Sequence, residues 1–310
     1  TATVLDYETN ASTYTITVRA KDELNATTEG NFTVTLLDVY EPSRENHTVE
    51  LNSSVDLEMI WVDPGTFTMG SPTTEEGRQT NETEHEVTLT IGFYLGKYEV
   101  TQAQYEAVMT GNTETNSSGH VISATPSHWP NNPDRPVENV SWEDIQVFLT
   151  HLNEQQSDNL PNGWAYVLPT EAQWEYACRA GTTTAYSWGD SISASDANWN
   201  HGNDPNQTEN VGQYPANPWG FFDMHGNVWE WIADAGGAYE TGAQTDPFNG
   251  GTTGSNRRFR GGSWDRPGTH LRSAHRTSTA PSYRYGSIGF RVGFQIQPDE
   301  ASPELELFGG

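Results

Sequence analysis

The residues able to do chemistry are few in kind. The one cysteine, Cys178, lies in the stretch Trp174-Glu-Tyr-Ala-Cys-Arg179, which as a helix has one apolar face, so the small thiol reads as a core residue rather than a nucleophile. A single cysteine also rules out an intramolecular disulfide. His270 and His275 stand five apart and could hold a metal together with Asp265, although the plainer reading makes them ordinary polar residues of a loop. No Gly-rich phosphate loop follows a strand and opens a helix, and no Gly-x-Ser-x-Gly elbow occurs. Carboxylates are too numerous to nominate one acid–base pair, so glycoside hydrolysis has nothing specific behind it.

Charge narrows the partners. Asp and Glu number 42 against 15 Lys and Arg, a formal charge of -27, which repels phosphate backbones and anionic lipid and favours cations. No nucleic-acid partner is expected. No run approaches the ~18 apolar residues that span a bilayer, and no basic-then-apolar signal pattern opens the chain, as in a mature or processed form. Asparagines carry a second signal. Sequons begin at Asn10, Asn25, Asn31, Asn46, Asn52, Asn81, Asn116, Asn139 and Asn206, and seven of the first eight asparagines lie in one, where chance gives about one in six. This predicts a glycosylated surface and an extracellular or cell-surface location.

These groups need elements to position them. In residues 1–42, Tyr14, Ile16 and Val18 alternate with Thr15, Thr17 and Arg19, and Phe32, Val34 and Leu36 alternate with Thr33 and Thr35, predicting strands joined by a polar connection from Asp22 to Gly30. Residues 43–56 are polar and read as a linker. From Met59 to Gly70 two short strands flank a Pro-Gly turn, and Val87 to Tyr94 reads as another strand. Thr101, Ser141 and Thr170 are placed to cap helices over Gln102–Met109, Trp142–Asn153 and Glu171–Arg179. From Ala180 to Phe294 the chain is rich in Gly, Asn, Pro and Trp with no long periodic element; loops of this kind need buried aromatics or bound ions to stay ordered.

Two resemblances give these elements a meaning. Leu5-Asp6-Tyr7-Glu8, Tyr14 to Asp22, and Phe32 to Pro42 resemble the second half of a cadherin-type repeat; a generic immunoglobulin-like fragment with solvated acids reads the same residues. The cadherin resemblance implies calcium bound at Asp6, Glu8, Asp22 and Asp38, with Glu41 nearby. Two or three strands alone leave an apolar face and an open edge, so something must cover them. In residues 57–297, Gly65-Thr-Phe-Thr-Met-Gly70, Tyr98-Glu-Val-Thr-Gln102, Pro136 to Trp142, Leu168 to Tyr176, Gly226-Asn-Val-Trp-Glu-Trp231, Arg260-Gly-Gly-Ser-Trp264 and Gly289-Phe-Arg291 resemble, in order, the formylglycine-generating-enzyme-like (sulfatase-modifying factor) family.

That resemblance implies an α+β fold: an irregular, C-type-lectin-related domain, here with a small N-terminal all-β portion. It implies calcium held by the side chains of Asp223 and Glu230 with the carbonyls of Gly226 and Val228, and a second ion near Asn198 and the Trp199 carbonyl, with Asn203 or Asp204 as the later ligand. It also implies that the enzymes of the family hold copper on two cysteines just after the Gly-Gly-Ser-Trp segment, as soft Cu(I) prefers. Here Trp264 to Arg276 contains none, so no copper is expected, and the His-x-x-x-His-x-Glu arrangement of an iron-using branch is missing too. The expected function is therefore non-catalytic: a calcium-stabilised extracellular glycoprotein with a structural or adhesive role, joined head to tail to copies of itself by a strand from the tail, residues 298–310, where Leu305 and Leu307 alternate with Glu304 and Glu306. Alternatively it is a lectin-like binder of surface glycans or proteins through Trp188, Trp199, Trp219, Trp264 and Tyr283. A metal-dependent oxidase with altered ligands ranks third.

Overall fold

The computed structural model describes residues 13–21, 27–35, 44–202 and 206–297. The chain divides into two units, Thr1–Ser43 and Arg44–Gly310. Of the expected ligands and sequons, Asp6, Glu8, Asp22, Asp38, Glu41, Asn203, Asp204, Asn10 and Asn25 lie outside the described residues, as does the tail 298–310.

In the first unit β1 (Thr13–Lys21) pairs antiparallel with β2 (Thr27–Thr35). The register sets Tyr14 opposite Val34 and Ile16 opposite Phe32, so the alternation of both strands coincides across the pair. The second strand begins three residues before Gly30, and the polar connection is correspondingly shorter than the sequence suggested.

The second unit opens with a hairpin where a linker was expected: β3 (His47–Asn52) pairs with β4 (Val55–Val62). Val49 is buried opposite Leu57 while Thr48 and Glu50 face solvent; one inward residue in a polar run is enough for a half-buried edge strand and too little to read from composition. After β5 (Gly65–Met69), the expected strand Val87–Tyr94 is two, β6 (His85–Leu89) and β7 (Phe93–Gly96), in different sheets. The break falls at Gly92, where a Cβ would meet the Trp61 indole at 2.2 Å, so only glycine lets the chain cross there.

The three helices start where their caps are. In α1 (Gln102–Met109), α2 (Trp142–Gln155) and α3 (Glu171–Arg179), the side chains of Thr101, Ser141 and Thr170 accept from the third helical N–H, and Gln104, Asp144 and Gln173 return the bond to the cap. Each such box contributes about 1 kcal/mol. The remaining strands are short: β8 (Trp164–Val167), β9 (Trp229–Ala235), β10 (Gln244–Thr245), β11 (Arg257–Arg260), β12 (Thr277–Thr279), β13 (Ile288–Phe290) and β14 (Gly293–Ile296). They complete sheets ordered β3-β4-β7-β14-β8, β10-β6-β5 and β12-β11-β9-β13. One core gathers Tyr105, Phe148 and Phe290, with the first two rings stacked at 5.3 Å; a second surrounds Trp174 of α3. Between α3, β9 and β11 the interior turns polar.

Candidate functional site

Helical spacing puts Glu171, Glu175 and Arg179 on one face of α3, and strand alternation points Arg258 and Arg260 of β11 toward it. Glu175 Oε1 accepts from Gly70 N (2.9 Å) and from Arg179 Nε (2.9 Å) and Nη2 (2.8 Å), while Oε2 accepts from Arg260 Nη2. Arg260 also donates to the carbonyls of Ser273, Ala274 and His275. Arg276 forks onto Glu171, and Arg272 bridges Glu75 and Glu82. Arg179, Arg258, Arg260, Arg272 and Arg276 are all buried and tie the irregular segment 264–276 to α3 and the loop before β6. Burial alone would raise the Glu171 carboxyl, but Arg276 and Arg260 together outweigh it and hold it below the usual range.

A second buried cluster lies at the turn before β9. Asp223 and Asn227 adopt left-handed backbone, and at position 226 only glycine fits, because φ is 97° and a Cβ would strike the Asn198 carbonyl oxygen at 2.4 Å. The coil brings Asp223 and Glu230 near Glu99, a residue of the Tyr98-Glu-Val-Thr-Gln102 motif to which the sequence assigned no role. Glu99 accepts from Val228 N (3.0 Å) and Asn227 Nδ2 (2.6 Å). Burial first, then the charges of Asp223 and Glu230, push Glu99 well above the usual carboxylate range; burial pushes Asp223 up to about 6. Three carboxylates here face one guanidinium, that of Arg291, which takes both oxygens of Glu230 at 2.7 Å while Trp174 Nε1 shares one of them at 2.7 Å.

The excess negative charge fits a cation, and an ion reaching Glu230 would share oxygens already held by Arg291. Asn198 fits better. Its Nδ2 donates to Gln207 O (3.0 Å) and Asn227 Oδ1 (3.3 Å), leaving a buried Oδ1 without a partner, the arrangement a hard cation would complete. Among the described residues no three His, Cys, Asp or Glu side chains could hold a metal by themselves, so a calcium ion here would depend on carbonyl and amide oxygens as well.

The other candidates separate. His270 and His275 stack with ring centroids 4.5 Å apart and planes 13° from parallel, against Trp229; rings stacked this way carry their nitrogens in parallel planes rather than toward a common point. Burial lowers His275 to about 2, and Asp265 accepts from Ser263 Oγ instead. Cys178 is fully buried with Sγ 3.5 Å from His225 Nε2; burial pushes the thiol up to about 12 and the imidazole down to about 4, so both are neutral, the opposite of an activated thiolate–imidazolium pair. Of the five expected ligand aromatics only Trp188 (39 %) and Tyr283 (44 %) are exposed. Trp219 packs on Tyr176, and the Trp199 and Trp264 indoles donate to Ser193 and Gly286 carbonyls. Among sequons of the second unit Asn46, Asn52 and Asn206 are exposed, Asn81 and Asn116 half-buried, and Asn139 spends its Nδ2 on Pro126 O at 2.9 Å. Asn31 lies in β2.

Asp234 of β9 gives a pH-dependent signature. It accepts from Glu171 N (2.8 Å) and Asn249 N (3.0 Å), and burial, then the Glu171 charge, push it up to about 7. Its usual value is near 4, so between about pH 4 and 7 the native state keeps a proton the unfolded chain has lost, and stability falls as pH rises through that window. Asp234→Asn removes this part of the slope; denaturant midpoints at several pH values, parallel in variant and parent, would contradict it.

Comparison with known proteins places these observations. Residues 45–296 match the family described as the Sulfatase-modifying factor enzyme 1-like domain. The chain is 27% identical over 294 residues to the formylglycine-generating enzyme of Mus musculus, covering 77% of this chain and 76% of that protein. It is 31% identical over 250 residues to serine/threonine-protein kinase pkn1 of Chlamydia caviae, covering 76% of this chain but 37% of the kinase, so it spans little more than a third of that relative. PvdO from Pseudomonas aeruginosa is similar in structure with a TM-score of 0.65 and 29% identity, over 82% of this chain and 100% of that one. Treponema denticola variable protein 1 shares the fold with a TM-score of 0.68 and 24% identity, over 82% and 99%. With the family match spanning both buried charge clusters and the motifs that build them, the chain belongs to the sulfatase-modifying factor enzyme 1-like domain family.

Proposed function

We propose that this chain is a non-catalytic, calcium-stabilised extracellular glycoprotein whose family domain acts as a rigid scaffold for ligand binding or adhesion. The observation that carries the reading is the segment 264–276. It is the stretch where the resemblance puts the copper-holding cysteines, and it contains none, while the chain's one cysteine is a neutral, buried neighbour of His225. What remains is a fold whose irregular half is held by buried Arg–Glu pairs and by oxygen clusters suited to calcium. Of the five expected contact aromatics, Trp188 and Tyr283 are exposed enough to offer a ring face to a sugar or a partner's pocket.

Head-to-tail assembly by a donated strand is the other form of this role, and one acceptor edge is closed to it. At the free edge of β8, Tyr166 N donates to Asn153 Oδ1 at 2.8 Å and Tyr166 O accepts from Asn153 Nδ2 at 2.9 Å, so α2 already supplies what an added strand would. The acceptor that the sequence suggests is the β1–β2 pair of the first unit, which the closed position on β8 leaves untouched, so strand donation stands beside the binding role.

Relatives named formylglycine-generating enzyme favour a second reading, oxidation of a substrate cysteine. The two are separated by incubating the chain with a cysteine-containing peptide in air, with and without copper, and following oxygen uptake and peptide mass. The expected result is no conversion beyond that of the metal alone. Copper-dependent conversion by this chain would retire the non-catalytic reading.

A further inference from the structure

A groove of about 550 Å³ runs beside β8 and the end of β14, between α2 and the loop after β10. Its floor is apolar, with Leu149, Val167 and Leu168, and its rim carries Ile91 and Phe248, which are 51 % and 59 % exposed. Isolated apolar residues on a surface need no explanation, but two large ones flanking an apolar trough do. Its charged lining is Asp246, whose carboxylate accepts from Thr90 N at 2.8 Å and from Thr90 Oγ1, and Arg257, half-exposed, its guanidinium 4.1 Å over the Trp142 ring and donating to the carbonyls of Ala233 and Gly250. Among the described residues Arg257 has no carboxylate within ion-pair distance, unlike the buried arginines, each of which has one.

We propose that this groove is the docking site of the chain's own segment Glu304-Leu-Glu-Leu-Phe308. The groove is lined at one end by Gln295, Ile296 and Gln297, the residues from which the tail departs, so the occupant starts at the site it fills. Six residues, 298–303, separate Gln297 from the segment; at ~3.3 Å per residue they reach about 20 Å, enough to turn back over the strand. Pro298 and Pro303 bracket that connection and reduce the entropy lost on fixing it. In an extended segment Leu305 and Leu307 share the face that meets the apolar floor, and Glu304, Glu306 and Phe308 share the opposite one, with Glu304 and Glu306 as the carboxylates offered to Arg257. The backbone of β8 at Tyr166 is taken by Asn153, so recognition is by side chains filling the trough rather than by strand addition. Linkage in one chain raises the effective concentration of the segment to the millimolar range, which favours the chain's own tail over a neighbour's. The inference rests on the binding form of the proposed role, because a tail donated to a neighbour would leave this groove empty.

The test uses the full chain and a second full chain carrying Leu305→Ser, Leu307→Ser and Phe308→Ser, which empties the groove without touching its walls. A synthetic peptide with the sequence of residues 303–309 is titrated into each by calorimetry. Binding to the triple variant, at least about tenfold tighter than to the parent, is expected, with both proteins monomeric by light scattering. Adding Phe248→Ser and Ile91→Ser, both at exposed positions that leave the core untouched, should abolish it. Three outcomes overturn the proposal: no peptide binding to the triple variant, equal binding to variant and parent, or concentration-dependent dimers of the parent that the triple variant lacks, which would move the segment into a neighbour's groove.

Discussion

Replacing Glu175 by glutamine is expected to destabilise the second unit by about 3–5 kcal/mol, the cost of removing one partner from a buried ion-pair cluster. The substitution keeps the shape of the side chain and removes its charge. Arg179 and Arg260, both buried, then lose the carboxylate they share, and the Gly70 N–H keeps at best an amide acceptor. At roughly 2–4 °C per kcal/mol for a unit of this size, the melting temperature falls by about 6–20 °C in scanning calorimetry. Because Arg260 also holds the carbonyls of Ser273, Ala274 and His275, the segment 264–276 should loosen first, with faster amide exchange there than in α1 or α2. A melting temperature within a degree or two of the parent's would mean that solvent enters the cluster and screens it.

On the proposed calcium-stabilised reading, removing calcium is the second large expected effect. Protein prepared with calcium at about 100 times its dissociation constant gains about 2.7 kcal/mol, so chelation should lower the melting temperature by about 5–10 °C. Asp223→Ala and Asn198→Ala should each reduce the response, the first by removing a charge beside Glu99 and the second by removing a buried oxygen that has no protein partner. If the chelator changes nothing, protons rather than a cation neutralise the cluster. The two cases differ in sign: with Asp223 pushed up to about 6 and Glu99 raised as well, a proton-neutralised cluster is stabilising in acid and loses the Asp223 contribution as pH rises through about 4 to 6, whereas a calcium-bound cluster gains stability with pH because the metal competes with the proton.

Local structure was legible wherever a short-range rule decides it. Thr101, Ser141 and Thr170 each sit three residues before a side chain able to close a capping box, and the three helices begin there because only the backbone of that turn is involved. The motif series across residues 57–294 likewise identified the family. Strand boundaries were less legible: β3 has a single fully buried side chain, and the split between β6 and β7 depends on the Trp61 indole lying against Gly92, a contact between residues 31 positions apart.

The site divides along the same line. Sequence by itself determined that residues 264–276, where the resemblance puts the copper-holding pair, carry no cysteine, and it picked out the Asp223–Glu230 coil through its motif. Only the tertiary structure decided what those residues face. Glu99, Arg260 and Arg291 were visible within motifs, but a charged residue in a motif does not reveal whether it meets water, a metal or another charge. Burial settles that: in a low-dielectric interior each charge must find its opposite, and the partner of Glu230 is Arg291, 61 residues on, brought there because β9 and β13 pair in parallel.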